Sequence, residues 1–379
     1  MYSTILRMYK LVALVAATLM LSAGSYASEQ DNQPLTLISD TILSGGYNQA
    51  RLIRDSITPA LNQRIQLVTN PDKLAQINAL STGQAHACFC GPTAYLAQEG
   101  LSGFDDIEAG PQPIRLLLSS SGSFAMTFLV DDTIADKNLN GLRGKRVAWL
   151  RKDHQYNFHT TALLSYFGIT WQDVQQIVFP DYNAAVEGFE RNYVDALLVL
   201  SSDPSLARLL SGKRNFALAR FSTDNKSAIS RMQSVAPYLT PQQTPPSGSI
   251  SGISGITFPY PNLIATDKLS EQKAYELTRA IIEQFDSFAD SSTAAEGWNI
   301  LFQNFFGSIP FHAGSVKYFK ELNLWSPEAE AHRNNLLERQ NYLKQVFNQQ
   351  KQLRKENQDF RLQWRNAREA ALIARQADE

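Results

Sequence analysis

The chain has 379 residues, 44% of them hydrophobic and 19% charged, and a formal net charge of -1. That length is enough for two domains and a sizeable core. A charge so near zero gives no electrostatic reason to expect nucleic acid or an anionic membrane surface as partner, and two cysteines are too few for a disulfide scaffold.

Arg7 and Lys10 precede an apolar run over 11–21, and Ser25-Tyr26-Ala27 offers small residues at a cleavage site. That order predicts a cleaved export signal over 1–27. The apolar run is short for a bilayer span, and no cysteine follows it to carry a lipid anchor. The mature protein is expected in the periplasm.

Residues 28–125 read as the first part of one lobe. A strand over 35–39 runs into a loop over 40–47, and a helix starts near Asn48. Ser44, Gly45, Gly46 and Tyr47 sit where that helix begins. Two glycines let backbone approach a ligand, and the free N–H groups of a first turn favour an anion. Gly-Gly at a strand-to-helix turn also serves simply as a turn. A strand beginning at Gln66, a helix over 71–83 and a strand over 85–90 follow, the last leading into Pro92 and Thr93. Cys88 and Cys90 share a strand face. Extended backbone would hold them roughly 7 Å apart, at the limit for a disulfide, so buried thiols are the favoured reading. Strands over 114–119 and 124–130 come next, and the second is placed to cross into another lobe.

The second lobe is expected over 126–255, around the stretch 141–204. A strand over 145–150 opens a loop over 151–157. A helix over 158–167 follows, with Asn157 placed as its cap and Gly168 as its left-handed end. A strand over 176–179, a helix over 182–191 and a strand over 194–200 complete the stretch. Apolar strands alternating with helices predict a parallel sheet covered on both faces. Ligands bind such sheets at the loops beyond the strands' carboxyl ends, here 151–157, 180–182 and 201–204. Arg151, Lys152 and His154 near a helix start suit a carboxylate; alternatively, Arg151 and Lys152 face solvent and pair with Asp153. His154 and His159 have no nucleophile or carboxylate at motif spacing, and there is no metal-ligand spacing, Ser elbow or phosphate loop. The reading is of a binding protein without cofactor or metal, not an enzyme.

A strand over 216–220 and a loop over 240–255 rich in Pro, Ser and Gly follow. Strands over 255–258 and 262–265 read as a second crossing, and residues 256–325 as the segment that completes the lobes. Residues 269–289 carry apolar side chains at helical spacing, and 293–306 is read as another helix.

The segment 309–324, with His312-Ala313-Gly314-Ser315, Tyr318-Phe319, Glu321 and Asn323, closely resembles the C-terminal signature of the TAXI family, the solute-binding proteins of one branch of TRAP transporters. The run 140–147, the turn over 79–85, and 193–196 with Pro204 also resemble that family. The resemblance covers about 35–324. It implies an α/β, two-lobed periplasmic-binding-protein fold (type II-like) that closes on a small carboxylate or amino acid and delivers it to a TRAP-type membrane permease. Where many family members carry Gly-Ser-Gly-Thr, this chain has the loop 151–157, and Pro92-Thr93 stands where Ser-Asp is frequent. The site is expected from Ser44, Gly45, Gly46, Tyr47, Pro92 and Thr93 on one lobe. The other lobe would add Arg151, His154, Tyr156, Asn157, Asp181, Tyr182 and Asp203, with Tyr260 near the second crossing covering the ligand.

Beyond Pro327 the chain has no Gly or Pro, and residues 326–379 read as a helical extension with one long helix over 328–376. Leu336, Leu343, Val346, Leu353, Phe360, Trp364 and Ala367 fall on the steps of a coiled-coil seam. The seam predicts a homo-oligomer or a partner helix; the alternative is a helix lying on the body. A second reading of the whole chain follows from it, a binding fold turned into a sensor or envelope interaction protein.

Overall fold

The computed structural model describes residues 34–42, 44–121, 124–134, 140–210, 215–245, 252–292, 294–354 and 359–378. The expected export signal lies outside the described residues. Among them, no helix is long and apolar enough to cross a membrane.

The chain first builds β1 (Leu35–Ser39), α1 (Gly45–Leu61), β2 (Ile65–Thr69), α2 (Lys73–Thr82), β3 (Ala87–Cys90), α3 (Thr93–Glu99) and β4 (Ile114–Ser119). It then crosses over and builds β5 (Met126–Asp131), β6 (Arg146–Leu150), α4 (His154–Tyr166), β7 (Gln175–Phe179), α5 (Tyr182–Glu190), β8 (Ala196–Leu200), α6 (Pro204–Leu210), β9 (Phe216–Leu218), α7 (Lys226–Val235), β10 (Thr240–Gln243) and β11 (Ser254–Thr257). It returns with β12 (Asn262–Thr266), α8 (Glu271–Glu283) and α9 (Ala313–Glu321), and ends in α10 (Pro327–Gln352) and α11 (Phe360–Asp378).

Two sheets result. The first has strand order β2-β1-β3-β12-β4, and the second β10-β11-β5-β8-β6-β7 with β9 beside β5. Each anchors its own core, one around Phe89, Leu117, Leu263 and Phe319, the other around Phe128, Leu163, Phe189 and Leu197. This is the two-lobed, type II-like binding-protein fold, with helices completing it.

The parallel ladders fall where apolar strands alternate with helices: β1 pairs with β2 and β3, and β6 with β7 and β8, all parallel. The sheets are nevertheless mixed. The crossing strands run against their neighbours, β12 antiparallel to β3 and β4, and β5 antiparallel to β8 and β11. A strand entering from the opposite lobe arrives from the far end of the sheet, so it must run the other way.

Four local expectations are corrected. The stretch read as a loop over 240–255 contains a hairpin, because Thr240–Gln243 pairs antiparallel with Ser254–Thr257. The expected helix over 293–306 is instead two short 3-10 turns, Glu296–Trp298 and Ile300–Phe302. Asn157 does not cap α4: Asp153 does, accepting from the Tyr156 N–H at 2.9 Å, so the helix starts earlier. Gly168 takes the left-handed conformation (φ 69°) just beyond that helix. Cys88 and Cys90 are joined in a disulfide. Their Cα atoms are 5.3 Å apart, closer than the roughly 7 Å of extended backbone on which the thiol reading rested.

The C-terminal extension is not one helix. The chain breaks after Gln352 without Gly or Pro, and α11 folds back antiparallel along α10, with Arg375 reaching Asn335 and Glu338, and Gln363 reaching Gln350. The residues expected to face a partner face each other instead. Leu343, Val346, Phe347, Phe360 and Trp364 form a third core, whereas Leu353 is 65% exposed and ends the seam.

The hairpin is seated on the first lobe. Glu99, 1% exposed, receives Arg339 through both carboxylate oxygens, at 3.0 and 2.8 Å, and also Arg368. Trp364 donates to the Gly100 carbonyl at 2.6 Å, and Arg365 pairs with buried Asp105. Gly110 has φ 68°, and a Cβ there would stand 2.6 Å from the Phe347 ring, so only glycine fits beneath this helix. Burial by itself would raise the Glu99 carboxyl, but Arg339 and Arg368 hold it below the usual carboxylate range.

Candidate functional site

The strand ends of both sheets converge on a cleft beside the crossings. A cavity of about 400 Å³ lies there. The first lobe supplies Asp40 beyond β1, Gly45 and Gln49 from α1, Lys73 at the start of α2 and Gly91 beyond β3. The second supplies Gln155 on α4, and Leu200 and Ser202 at the end of β8. Ser120, Ser121, Phe124, Phe258 and Tyr260 come from the two crossing segments.

Local sequence positions these groups. Ser44 caps α1 by accepting from the Tyr47 N–H at 3.0 Å, which turns Gly45 toward the cavity. Gly46 is required for close approach, because a Cβ there would meet the Tyr260 hydroxyl at 2.5 Å. Asp72 caps α2 and so fixes where Lys73 starts. Gln49 accepts from Trp298 Nε1 at 2.8 Å. Phe124, Phe258 and Tyr260 meet edge to face, with centroids 4.9–6.4 Å apart, a favourable arrangement for aromatic quadrupoles.

Asp40 is the electrostatic centre. It is 7% exposed. Lys73 Nζ and Gln76 Nε2 donate to one carboxylate oxygen, the latter at 2.9 Å, and the Tyr260 hydroxyl donates to the other at 2.7 Å. Asp40 and Lys73 are the only charged side chains lining this cavity among the described residues. Burial lowers the Lys73 ammonium to about 8, with Asp153 across the cleft opposing that shift. Asp40 in direct contact likewise favours the ammonium, so the lysine is charged at neutral pH. Burial pushes the Tyr260 hydroxyl up to about 12, which keeps it a donor to Asp40. The cleft thus presents one anion and one cation side by side, flanked by aromatic rings.

The lobes also touch across the cleft. The Thr93 hydroxyl donates to Gln155 Oε1 at 3.1 Å. Tyr95 on α3 meets Tyr238 and Phe158 of the second lobe, with centroids 5.1 and 6.5 Å away.

Of the residues expected from sequence, Gly45 and Tyr260 line the cavity, Gly46 lies under Tyr260, Ser44 and Tyr47 form the cap, and Thr93 bridges the lobes. Pro92 lines a separate cavity. The rest lie away from the cavity. Arg151, Lys152 and His154 are exposed and do not line it. Tyr156 is buried and its hydroxyl accepts from the Leu198 N–H. The Asn157 amide is spent on both the N–H and the carbonyl of Leu150. Asp181 caps α5, and the Tyr182 hydroxyl donates to Asp203. Asp40, Lys73, Gln155 and the serines were missed. Asp40 carried the signal of standing at the carboxyl end of a strand; Lys73 carried none, since a lysine in a first helical turn is ordinary.

Two α/β lobes, two crossing segments and a cavity at the strand ends are the architecture of a solute-binding protein. The chain belongs to the NMT1-like family, whose sequence model matches residues 50–322. No curated protein matches it in sequence. Among solved structures it is similar to a periplasmic sulfonate-binding protein from Methylobacillus flagellatus, with 12% identity over 71% of this chain and 74% of that one and a TM-score of 0.47. It is also similar to the periplasmic aliphatic sulphonate-binding protein of Escherichia coli, with 15% identity over 77% and 89% and a TM-score of 0.42. A third is an amino acid ABC transporter substrate-binding protein from Streptococcus pneumoniae bound to L-arginine, with 10% identity over 72% and 95% and a TM-score of 0.38. At these values the likenesses carry nothing about the solute of this chain.

Proposed function

We propose that this protein is a periplasmic receptor that captures a free amino acid between its lobes and delivers it to a membrane permease. The observation that carries this reading is the Asp40–Lys73 pair in the cavity. A cleft that sets an anion beside a cation is complementary to a zwitterion inserted between them. The ligand ammonium would take the place of Lys73 on Asp40, and its carboxylate would meet Lys73 and the N–H groups that open α1. Phe124, Phe258 and Tyr260 would wall the room left for the side chain, and the cavity of about 400 Å³ suits a molecule of this size. Arg151 and His154, offered by sequence as carboxylate ligands, have no part in this arrangement. Lobe closure would be a hinge motion at the crossings. The permease expected is of the TRAP type, as the TAXI resemblance of 309–324 implies. The alternative of an interaction protein working through its C-terminal helix loses its main support, because Leu343, Val346, Phe360 and Trp364 of the seam are buried inside the hairpin.

The test is calorimetric titration of the protein with the common amino acids. At least one should bind, and Lys73→Met and Asp40→Asn should each weaken it about 10–100-fold, the effect of losing one hydrogen bond to a charged group. Binding of undiminished affinity in both variants would refute the assignment.

A further inference from the structure

Near the start of α1 stands a side chain that the capture of a zwitterion by Asp40 and Lys73 leaves unused. Gln49 lines the cleft and is 6% exposed. Its Oε1 accepts from Trp298 Nε1 at 2.8 Å, and Trp298 is 1% exposed. An indole N–H can only donate, so it dictates which end of the amide faces it. The Nε2 end is turned away and has no hydrogen-bond partner among the described residues. The unpaired hydroxyls of Ser39 and Thr257 are sealed inside the protein, but Gln49 Nε2 is not; the residue lines the cavity, so its free amide group opens there. Buried polar groups are satisfied almost without exception in native structures, and here the missing acceptor has room to enter from the cleft.

We propose that Gln49 is a carboxylate-binding residue of the cleft, donating from Nε2 to the ligand carboxylate beside Lys73, and that Trp298 is the positioning residue that holds its amide in that orientation. The assignment rests on the amino acid reading of the cleft. Gln49 stands four residues after Gly45 on α1. Helical side chains lean back toward the helix N-terminus, so the amide lies over the turn that Gly45 opens. Gly45 lines the same cavity, and a Cβ there would meet nothing within 4 Å, so a carboxylate can approach its backbone. Lys73 supplies charge but little direction, since an ammonium donates along three rotatable bonds. A planar amide fixed at its oxygen supplies the direction. A carboxylate on Nε2 would also polarise the amide and strengthen the bond that Oε1 accepts from Trp298.

The probes are the twenty common L-amino acids and, for the tightest of them, its carboxamide, which has no anion. Gln49→Leu would orphan the buried Trp298 N–H, so the informative variant is Gln49→Glu. It keeps an acceptor for Trp298 and should melt as before, but it sets a negative charge against the ligand carboxylate. In calorimetry it should weaken the tightest amino acid about 10–100-fold and remove the protein's preference for the acid over the carboxamide. In proton NMR of the unaltered protein, the Trp298 indole N–H, assigned with Trp298→Phe, should move downfield as that amino acid saturates the cleft. Undiminished affinity in Gln49→Glu, a preference for the acid that survives it, or a Trp298 resonance that saturation does not move would each overturn the proposal. If no amino acid binds, the amino acid reading fails, and the role of Gln49 is decided by acetate, lactate and succinate. Saturable binding of one of these that Gln49→Glu weakens would uphold it, and absence of such binding would overturn it.

Discussion

At the scale of the residue, burial decides the chemistry of this chain more than residue type does. His154 and His159 look alike in sequence, yet one is exposed and the other 3% exposed. His159 packs against Phe258, and its Nε2 is 3.0 Å from the Tyr238 hydroxyl. Burial lowers its imidazole to about 3, so it is neutral in the fold at every pH near neutrality. The unfolded chain binds a proton near 6.5, so protonation favours unfolding between those values. Stability should fall as the pH drops below 6.5, with His159 contributing about 2 kcal/mol of loss by pH 5. His86 and His312 are also lowered by burial and add to the same slope. Urea unfolding at pH 7 and pH 5 measures it. His159→Gln, which keeps a partner for Tyr238, should flatten the dependence; an equal slope in the variant would contradict the account.

Element boundaries were legible in the sequence where local chemistry is strong and illegible where packing overrides it. Gly168 ends α4 as its sequence predicts, because few other residues accept that conformation. Asn157 was misplaced because asparagine satisfies a cap and a buried strand edge equally well, and only the fold shows that Leu150 claims it. The C-terminal seam was a real apolar stripe assigned to the wrong partner. A heptad pattern states that one face must be covered and leaves open whether another chain or the same chain covers it. Here Glu99, Asp105 and Gly100 on the first lobe supply the seat, and nothing in the local sequence of the hairpin points to them. Trp364 is 0% exposed between the hairpin and that lobe. Trp364→Ala should cost about 3–5 kcal/mol in urea unfolding, with the molecular mass unchanged. A loss under about 1 kcal/mol would mean that the hairpin is not packed as described.

At the scale of the whole molecule, the two-lobed organisation could be read from the alternation of strands and helices together with the TAXI resemblance. The cleft's location also followed, since ligands sit beyond strand carboxyl ends in such sheets. Its composition did not follow. Asp40, Lys73 and Gln155 lie on three different elements brought together by topology, and no spacing in the chain announces them. The basic loop 151–157 drew attention through its charge, but exposed charge is what solvated loops ordinarily carry.

In the proposed function the cleft recognises both charges of a zwitterion. Thermal unfolding of the protein against a panel of amino acids, simple carboxylates, simple amines and neutral sugars tests it most directly. At a hundred times its dissociation constant, a ligand that binds only the folded state should raise the midpoint by about 4 °C for a chain of this length. The prediction is a shift of that size with at least one amino acid, absent with the corresponding acid or amine alone and cut to about half or less in Lys73→Met. A cooperative melt that no amino acid moves, or a shift of undiminished size in Lys73→Met, would contradict it.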